Sequence, residues 1–413
     1  MTKGHKPTKP PPGNTAGTVG LVVALDYLSA YGGAVQRIKG DVAALRQNGY
    51  EVEMICPSRT EKPIQKLPSG LTLVTYRNVQ NAALLPEKAR LVFDLHTQMF
   101  SPFFHSALRR RCRDYSVIFA HSPWSVVASH RAVRGRIPLI YVAHNFEYGL
   151  IKQASRNPIV RRLVYHVEKS ACRKATRILC VSERDMADLG EAYRVAPEKL
   201  ALLPNTVDVD FFAQAHSLYD RASQRRKLGL PSSAPVLLFH GRMDYRANAE
   251  ALRFIMDELM PSLKYRSDEI RLVVAGAQIP QWCLERTGRA TSCHTDVPDM
   301  RRFLAIADIV IVPLNIGGGT RLKILESFAA RVPVISTAKG MEGIDCLDGE
   351  HSLIAERTAE DFADKIMMLA GDAALREKLT SNAYNLVVDK YSIAVAARCL
   401  QEVMVEAGAD SES

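Results

Sequence analysis

The sequence predicts an α/β protein made of two doubly wound domains. Short runs of apolar and β-branched residues alternate with amphipathic segments along most of the chain, which is typical of parallel sheets covered by helices. The chain has 413 residues, which is more than the ~250–300 that one hydrophobic core usually organises. The alternation is interrupted once, where polar and charged residues fill positions 205–233. We therefore expect one domain on each side of that interruption.

These observations divide the chain into five segments. Residues 1–18 are rich in Pro, Gly and Lys, and we predict a disordered basic tail there. We expect an N-terminal domain over residues 19–205, a linker region over 206–233 and a C-terminal domain over 234–390. Residues 391–413 have a helical pattern, and we expect them to form a C-terminal helix that crosses back to the N-terminal domain.

Six strand-sized apolar runs lie in the first half of the chain. They cover residues 19–24, 51–56, 71–75, 117–120, 139–143 and 177–181. Between the first two runs, residues 33–48 have apolar side chains at helical spacing, and Gly49 follows them. This pattern predicts a helix that ends at the glycine. A strand, a helix and a second strand in this order predict a parallel pair.

The second half of the chain repeats this pattern. Strands are predicted over residues 236–240, 271–275, 309–313 and 332–336. Helices are predicted over residues 247–261, 300–305, 322–330 and 359–369. In open parallel sheets, ligands bind beyond the carboxyl ends of the strands. Motifs at those positions are therefore the candidates for a functional site.

Composition and cysteine spacing argue against several classes of protein. The apolar stretches are strand-sized, and none approaches the ~20 residues that span a bilayer. The basic N-terminus lacks the apolar segment of a secretory signal. The eight cysteines are scattered without a Cys-x-x-Cys pair, so zinc is not expected. We expect a cytoplasmic protein that uses no metal ion or other cofactor.

The positive charge of the chain is concentrated in its first half. Residues 1–205 contain 30 Lys and Arg against 15 Asp and Glu, a balance of +15, whereas the remainder contains 24 against 29, a balance of −5. The basic clusters alternate with apolar helix positions rather than with base-stacking aromatic residues, so nucleic acid is not expected as a partner. We predict reversible docking of this half on the anionic inner face of the cytoplasmic membrane. Solvated helix faces are the alternative interpretation of each cluster taken singly.

The segment 313–326 (PLNIGGGTRLKILE) has the strongest chemical signal in the sequence. An apolar strand leads into three glycines and then into a helix, so that the backbone can approach an anion and helix-start N–H groups can point at it. Arg321 and Lys323 add positive charge there, and a carboxylate at Glu326 can accept two hydroxyls of a ribose. The alternative is a flexible loop that caps a helix, with Glu326 on a solvated face. The glycine spacing is not that of a P-loop.

This segment resembles the donor-site signature of the family-4 retaining glycosyltransferases of GT-B fold, in the branch that contains GGGTRxKxLE. Further matches follow in the family's order. They are the glycine pair at 32–33, HNFE at 144–147, PNTVD at 204–208 and FHGRMDY at 239–245. The resemblance covers roughly residues 19–400 and implies two Rossmann-like domains that face each other across a cleft.

The resemblance also implies an activity. The expected enzyme moves a sugar from a nucleotide-diphosphate sugar to an acceptor hydroxyl, with retention of configuration and without a metal ion. The expected partners are the nucleotide-sugar donor and a glycan or lipid-linked acceptor, in polysaccharide, lipopolysaccharide or exopolysaccharide biosynthesis. Two alternatives stay open: a nucleotide-sugar epimerase of the same fold, and a donor-binding protein with impaired catalysis.

Site residues follow from the resemblance position by position. His144, Arg242 and Lys323 occupy the positions of catalytic residues, and Glu326 that of the ribose-binding carboxylate. The other donor-binding candidates lie in glycine-containing loops or at helix starts: Gly32, Gly33, Arg246, Gly318, Gly319, Thr320, Arg321 and Leu322.

The sequence departs from the family pattern at two positions. A Glu usually stands eight residues before Glu326 and holds the sugar hydroxyls, but Gly318 is found there. A Lys usually stands five residues after Arg242, but this position is Ala247, next to Arg246. Outside the pattern, His121 follows a predicted strand, where facing a ligand and an ordinary strand-end contact are equally open interpretations.

Overall fold

A computed structural model gives the structure of the chain. It describes residues 17–27, 33–58, 64–67, 70–77, 98–317 and 319–409. Nearly all of the predicted tail lies outside these ranges, as do the candidate site residues Gly32 and Gly318.

The described residues form two compact units. The first extends to Leu203 and also includes the chain from Ala396 onward, whereas the second extends from Pro204 to Val395. The final helix of the chain therefore belongs largely to the first unit. Within that unit, the Asn48 side chain donates a hydrogen bond to the carbonyl of Ala397, with an N···O distance of 2.7 Å.

The first unit contains, among the described residues, one sheet of eight strands. The strands are β1 (Thr18–Val22), β2 (Glu51–Ser58), β3 (Ile64–Lys66), β4 (Thr72–Arg77), β5 (Tyr115–Ala120), β6 (Leu139–Ala143), β7 (Arg177–Cys180) and β8 (Leu200–Leu202). Their order across the sheet is β3-β4-β2-β1-β5-β6-β7-β8. All pairs are parallel except β3 with β4. Strands β5 and β6 are neighbours, so the residues that follow them lie at the same edge of the sheet.

Helices connect these strands. They are α1 (Gly33–Gln47), α2 (Pro102–Arg111), α3 (Pro123–Val133), α4 (Glu147–Ala154), α5 (Pro158–Lys174) and α6 (Glu183–Tyr193), with 3-10 turns at Cys112–Asp114 and Pro197–Lys199. Several start at side-chain caps, as where the Ser182 hydroxyl accepts the backbone N–H of Asp185. Helix α1 ends next to Gly49, as its sequence predicts.

The second unit contains a parallel sheet of six strands, again counting the described residues. The strands are β9 (Val236–Arg242), β10 (Arg271–Ala277), β11 (Thr291–Thr295), β12 (Ile309–Val312), β13 (Val334–Ser336) and β14 (Leu353–Ile354), in the order β11-β10-β9-β12-β13-β14. Strands β9 and β12 are buried neighbours.

The helices of the second unit include three in the segment predicted as a linker. The helices of this unit are α7 (Val209–Ala213), α8 (Ala215–Leu218), α9 (Arg221–Lys227), α10 (Arg246–Phe254), a π turn (Ile255–Leu259), α11 (Met260–Arg266), α12 (Gln281–Leu284), α13 (Arg301–Ile306), α14 (Leu322–Ala329), α15 (Ala338–Met341), α16 (Ala359–Gly371) and α17 (Ala373–Lys390). The final helix, α18 (Ile393–Glu406), follows and lies largely in the first unit. Segment 206–233 is packed rather than extended, because the buried Arg225 guanidinium donates to the carbonyl of Ile306 and to Asp308.

Strands that the sequence did not predict are β3, β8, β11 and β14. These four are the outermost strands of the two sheets. Central parallel strands are covered on both faces and have continuous apolar sequences, whereas an edge strand with one neighbour tolerates polar residues. All four residues of β12 are fully buried, but only the first of the five in β11 is buried.

Candidate active site

The first group of site residues surrounds Lys323 in the second unit. Strand β9 ends with His240, Gly241 and Arg242, and the glycine-containing loop after the neighbouring strand β12 leads into α14. We call Lys323, Glu326, His240, Asn248 and Arg321 the lysine cluster.

The ammonium group of Lys323 is fixed by its neighbours. Its Nζ donates to Oδ1 of Asn248 at 2.8 Å, and Nδ2 of Asn248 donates to the carbonyl of Arg242 at 2.7 Å. The same Nζ lies 4.7 Å from the centre of the Phe239 ring. Gly241 makes room for it: its φ is +138°, and a Cβ there would lie 3.0 Å from Nζ. The amine is therefore held on the end of β9.

Burial brings the pKa values of two oppositely charged groups of the lysine cluster close to 7. It lowers the pKa of Lys323 to about 7, although Glu326 opposes this shift. It raises the pKa of Glu326 to about 7, against the opposing effect of Lys323. Burial also lowers the pKa of His240 to about 3, and its Nδ1 lies 3.8 Å from a carboxylate oxygen of Glu326. His240 is therefore neutral, while Lys323 and Glu326 can change charge when a ligand binds.

The loop before α14 adopts backbone conformations that favour glycine. Gly317 and Gly319 have φ values of +109° and +75°. The Arg321 side chain is 7% exposed and donates to the carbonyl of Gly319 instead of capping α14. The hydroxyl of Thr320 is buried and has no hydrogen-bond partner among the described residues. Helix α14 therefore starts at Leu322 without a side-chain cap.

Two predicted cations lie at the surface of this unit. Arg242 forms a bidentate pair with Asp244, with an Nε···Oδ1 distance of 2.9 Å, and this hydrogen bonding raises the pKa of Arg242. Its side chain is 37% exposed. Arg246 is exposed at the first turn of α10. The prediction had not included the pairing of Arg242 with Asp244.

The second group of site residues lies in the first unit, and we call Arg37, Asp41, His121 and His144 the histidine cluster. His121 follows β5 and His144 follows β6, so the two rings meet at one edge of the sheet. Nδ1 of His121 lies 3.0 Å from Nε2 of His144. Nε2 of His121 lies 3.8 Å from Oδ2 of Asp41. His121 is thus part of a polar cluster rather than an isolated strand-end residue.

A buried ion pair stands behind the two histidines. Arg37 and Asp41 lie one turn apart on α1, each 1% exposed, with Nε donating to Oδ2 at 2.9 Å. Nη1 of Arg37 donates to the carbonyl of Leu203 at 2.6 Å. Burial, and then Arg37, lowers the pKa of His144 to about 3, and burial lowers that of His121 well below its usual value. Both imidazoles are therefore neutral at physiological pH.

The backbone that follows His144 is anchored by the carboxylate of Glu168. The fully buried Glu168 of α5 accepts the N–H groups of Glu147 and Tyr148 at 3.0 and 2.9 Å. It also accepts the Tyr193 hydroxyl at 2.7 Å. Glu147 is the first residue of α4.

Sequence reasoning missed Arg37, Asp41 and Glu168. The available signal was a charged pair at i, i+4 among the apolar positions of α1, but such pairs are common on solvated helix faces. Of the predicted glycines, Gly33 is exposed at the start of α1, and a Cβ there would meet no atom within 4 Å. No group of three or more His, Cys, Asp or Glu side chains in the described ranges is arranged to hold a metal ion.

Comparison with known proteins identifies the family. Residues 31–211 match the family described as Glycosyltransferase Family 4, and residues 234–372 match the family described as Glycosyl transferases group 1. The chain belongs to glycosyltransferase family 4. It is therefore an enzyme, as the resemblance in its motifs implied.

Two relatives of this glycosyltransferase match along most of their length. A D-inositol 3-phosphate glycosyltransferase of Kineococcus radiotolerans is 24% identical, over 89% of this chain and 90% of that protein. The UDP-Gal:alpha-D-GlcNAc-diphosphoundecaprenol alpha-1,3-galactosyltransferase of Escherichia coli is 23% identical, over 71% of this chain and 76% of that protein.

Solved structures show that the glycosyltransferase has the predicted GT-B fold. Sucrose-phosphate synthase from Thermosynechococcus elongatus superposes with a TM-score of 0.73 at 18% identity, over 96% of this chain and 100% of that one. Anabaena HepE in complex with UDP-glucose superposes with a TM-score of 0.68 at 13% identity, over 94% and 100% of the two chains. The predicted fold class is confirmed.

Proposed function

We propose that this glycosyltransferase moves a sugar from a nucleoside diphosphate sugar to an acceptor hydroxyl, with retention of configuration and without a metal ion. The lysine cluster carries the proposal. The Lys323 amine is held in a fixed position at the carboxyl end of a parallel sheet, beside a glycine-containing loop and an uncapped helix start, and a bound anion favours its charged form. Such a place suits a diphosphate, since both the cation and the helix N–H groups favour an anion.

Departure of the diphosphate places negative charge on its outer phosphate. We assign stabilisation of this charge to Lys323 and Arg242, with the N–H groups of Thr320, Arg321 and Leu322 as further contacts. The buried Thr320 hydroxyl, which has no partner within the described residues, supports a ligand at this place. Arg246 and Gly319 complete the described part of the proposed phosphate site. With these groups supplying positive charge, the reaction needs no metal ion.

Glu326 and His144 are assigned to the ribose and to the transferred sugar. Ionised Glu326 accepts the two ribose hydroxyls, and its neighbour Lys323 favours the ionised form. His144 contacts the sugar, and Gly33 leaves open space at the start of α1. No protein carboxylate is assigned as a base. The leaving phosphate oxygen takes the proton of the attacking hydroxyl, so attack occurs on the face that the phosphate leaves.

A screen of donors tests this function. Purified enzyme is incubated with UDP-, GDP- and ADP-glucose, with and without a lipid-diphosphate glycan acceptor, and release of the nucleoside diphosphate is measured. We expect acceptor-dependent release with one nucleotide, and loss of release in Glu326→Ala. If Glu326→Ala and Lys323→Ala each left turnover unchanged, the assignment of the lysine cluster would be wrong.

The same screen distinguishes the proposed function from the two open alternatives. An epimerase would convert the donor sugar with no acceptor present, and a donor-binding protein would release no product under any condition. None of the four proteins compared above is named as an epimerase.

We further propose a lipid-linked or glycan acceptor at the cytoplasmic membrane surface, in assembly of a polysaccharide or lipopolysaccharide. The name of the Escherichia coli relative, which describes a diphosphoundecaprenol substrate, supports a lipid-linked acceptor. Within the described residues, no helix has the length and apolar character needed to cross a bilayer.

The first unit has a surface that suits docking on anionic lipid. Phe100, which is 69% exposed, lines a cavity of about 650 Å³ together with Arg109, Arg110 and Arg131. Phe103, in the first turn of α2, is 49% exposed. Aromatic rings favour the bilayer interface, and each cation near an anionic leaflet contributes about 1 kcal/mol. We propose this surface as the membrane contact.

Vesicle co-sedimentation tests the contact. We expect binding to phosphatidylglycerol-containing vesicles that falls with salt and falls at least fivefold when Phe100 and Phe103 are both replaced by Ser. Tyr265→Ser is the control, because Tyr265 is 93% exposed but lies in the second unit. Binding that is independent of anionic lipid and of salt would contradict the proposal.

A further inference from the structure

The two histidines of the histidine cluster share one hydrogen bond, and a carboxylate lies behind the inner ring. We infer that Asp41, acting through His121, fixes which nitrogen of His144 carries the proton, so that His144 presents an unprotonated Nδ1 to the transferred sugar. The contact with the sugar rests on the proposed function. The protonation pattern rests on the cluster alone.

Only two arrangements satisfy the contact between the rings. Nδ1 of His121 and Nε2 of His144 lie 3.0 Å apart, so one must donate and the other accept. A neutral imidazole has one donor and one acceptor nitrogen. In the first arrangement both rings carry hydrogen on Nε2, and His144 donates to His121. In the second both carry hydrogen on Nδ1, and His121 donates to His144.

Asp41 distinguishes the two arrangements. Nε2 of His121 is buried, has no hydrogen-bond partner among the described residues, and lies 3.8 Å from Oδ2 of Asp41. The first arrangement directs an N–H toward this carboxylate, and the second directs a lone pair toward it. In a buried site of low dielectric constant the attraction and the repulsion are both strong. The first arrangement is therefore favoured.

Arg37 supports the ionised form of Asp41. Its Nε donates to Oδ2 of Asp41, and its Nη1 donates to the carbonyl of Leu203. These two N–H groups are directed at acceptors other than His121. Burial raises the pKa of Asp41 above its usual value, while the charge and the hydrogen bond of the Arg37 guanidinium oppose this rise. The charged groups that face His121 are thus the carboxylate of Asp41, with Oδ2 3.8 Å from Nε2 of His121, and its paired guanidinium.

The inferred arrangement determines what His144 can bind. His144 lies at the partly exposed end of the cluster, whereas His121 is 6% exposed. With hydrogen on Nε2, its Nδ1 is a lone pair that accepts a hydrogen bond from a sugar hydroxyl. The same lone pair repels a carboxylate, which has no hydrogen to donate. The enzyme should therefore prefer a neutral hexose to a hexuronic acid, and Asp41 and His121 are positioning residues for this preference.

Nitrogen NMR of the histidine-labelled protein tests the arrangement directly, because protonated and unprotonated ring nitrogens have well-separated shifts. We expect His144, assigned by loss of its signals in His144→Gln, to show a protonated Nε2 and an unprotonated Nδ1. In Asp41→Asn the side-chain amide can donate to His121, so the His144 pattern should reverse or become mixed. His105 is the internal control, since its Nε2 faces the carbonyl of Met99 at 3.0 Å and must carry hydrogen in every variant.

Activity supplies a second readout. The ratio of kcat/KM for UDP-glucose to that for UDP-glucuronate should fall about tenfold in Asp41→Asn. A structural defect would lower both rates together and leave the ratio unchanged. If Asp41→Asn does not fold because Arg37 loses its partner, His121→Asn serves instead: its amide can hold His144 but no longer connects it to Asp41.

The outcomes separate this inference from the proposed function. A protonated Nδ1 on His144 in the unsubstituted protein would overturn the inference. So would nitrogen shifts of His144 that stay the same in both Asp41→Asn and His121→Asn. If the unsubstituted enzyme transfers no sugar from any donor, the proposed function fails, and the NMR spectrum still decides the protonation of His144.

Discussion

The lysine cluster and the histidine cluster occupy equivalent places in their sheets but differ in electrostatics. Each lies at the carboxyl ends of two neighbouring parallel strands, β9 with β12 and β5 with β6. In the lysine cluster, burial brings Lys323 and Glu326 to pKa values of about 7, so both can change charge. In the histidine cluster, both imidazoles are neutral and the charges of Arg37 and Asp41 are paired behind them.

On the proposed function, this difference suits the two clusters to two kinds of ligand group. A diphosphate needs positive charge. A buried amine that takes up a proton when the diphosphate binds supplies this charge. Sugar hydroxyls need hydrogen-bond donors and acceptors in fixed positions. The neutral rings of the histidine cluster, beside the buried ion pair of Arg37 and Asp41, can supply them.

Removal of the Lys323 ammonium should have the largest effect. In Lys323→Ala we expect kcat/KM for transfer to fall about 10²–10³-fold, because a fixed charge at the leaving phosphate is lost. Lys390→Ala is the matched control, since Lys390 pairs with Asp345 at the exposed surface of the same unit. Steady-state kinetics measures both variants. Equal rates in the two would show that the lysine cluster does not hold the phosphate.

Glu168→Gln should loosen the backbone that follows His144. The substitution replaces one oxygen of a buried carboxylate with an NH2 group. The NH2 group cannot accept the hydrogen bonds that this oxygen accepts from its N–H and O–H partners. We expect the free energy of unfolding to fall by about 3 kcal/mol and transfer to fall about tenfold. Tyr193→Phe removes only the hydroxyl donor and should have a clearly smaller effect on unfolding in urea. Similar losses in both variants would mean that Glu168 does not anchor this backbone.

Gly241→Ala should displace the Lys323 amine. The added Cβ would lie 3.0 Å from Nζ of Lys323 and 3.1 Å from Nδ2 of Asn248, at a φ of +138°. We expect the affinity for UDP to fall roughly fivefold, with about 1–3 kcal/mol of backbone strain. Gly288→Ala is the control, because a Cβ there meets nothing within 4 Å. Calorimetric titration compares the two, and unchanged UDP affinity in Gly241→Ala would contradict the geometry.

Proton uptake on ligand binding should be the smallest effect. The pKa of Lys323 is about 7 in the free enzyme, and a bound diphosphate raises it because it favours the charged amine. At a pH between the pKa of Lys323 in the free enzyme and its pKa in the complex, binding is accompanied by uptake of a proton. The affinity therefore falls as the pH rises above 7. Proton release by Glu326 on ribose binding acts in the opposite direction.

Comparison with Lys323→Arg isolates the lysine contribution. The guanidinium stays charged, so the uptake assigned to Lys323 disappears while the Glu326 contribution remains. We expect the unsubstituted enzyme to take up a fraction of a proton more than Lys323→Arg, measured by titration at pH 7.5 in buffers of different ionisation enthalpy. Identical proton counts would show that Lys323 does not change its charge.

Prediction from the sequence succeeded where the signal was contiguous. Residues 313–326 contain the strand end, the glycines, Lys323 and Glu326 in one run, so chain order alone places them together. The alternation of apolar runs likewise predicted the central strands of both sheets. Assignment of His144, Arg242 and the donor-binding residues to their roles stays a prediction until kinetics tests it.

Prediction failed where residues meet only through packing. The edge strands β3, β8 and β14 are only two or three residues long, and only the first of the five residues of β11 is buried, so none of the four contains a strand-length run of buried apolar residues. The polar sequence of segment 206–233 resembles a linker, but buried contacts such as Arg225 with Asp308 fold it onto the second unit. Neither feature has a local sequence signal, because each depends on distant partners.

Periodicity and short contiguous motifs were sufficient to predict the fold class and the family, which are confirmed, and they also predict the glycine-containing site. The cluster of Asp41, His121 and His144, in contrast, arises from the tertiary fold. They are separated by 80 and 23 residues along the chain, and they meet because the parallel order of β1, β5 and β6 brings the ends of these strands, and α1 beside them, to one edge. The hydrogen bond between the two rings, and the carboxylate behind it, exist only in the folded sheet.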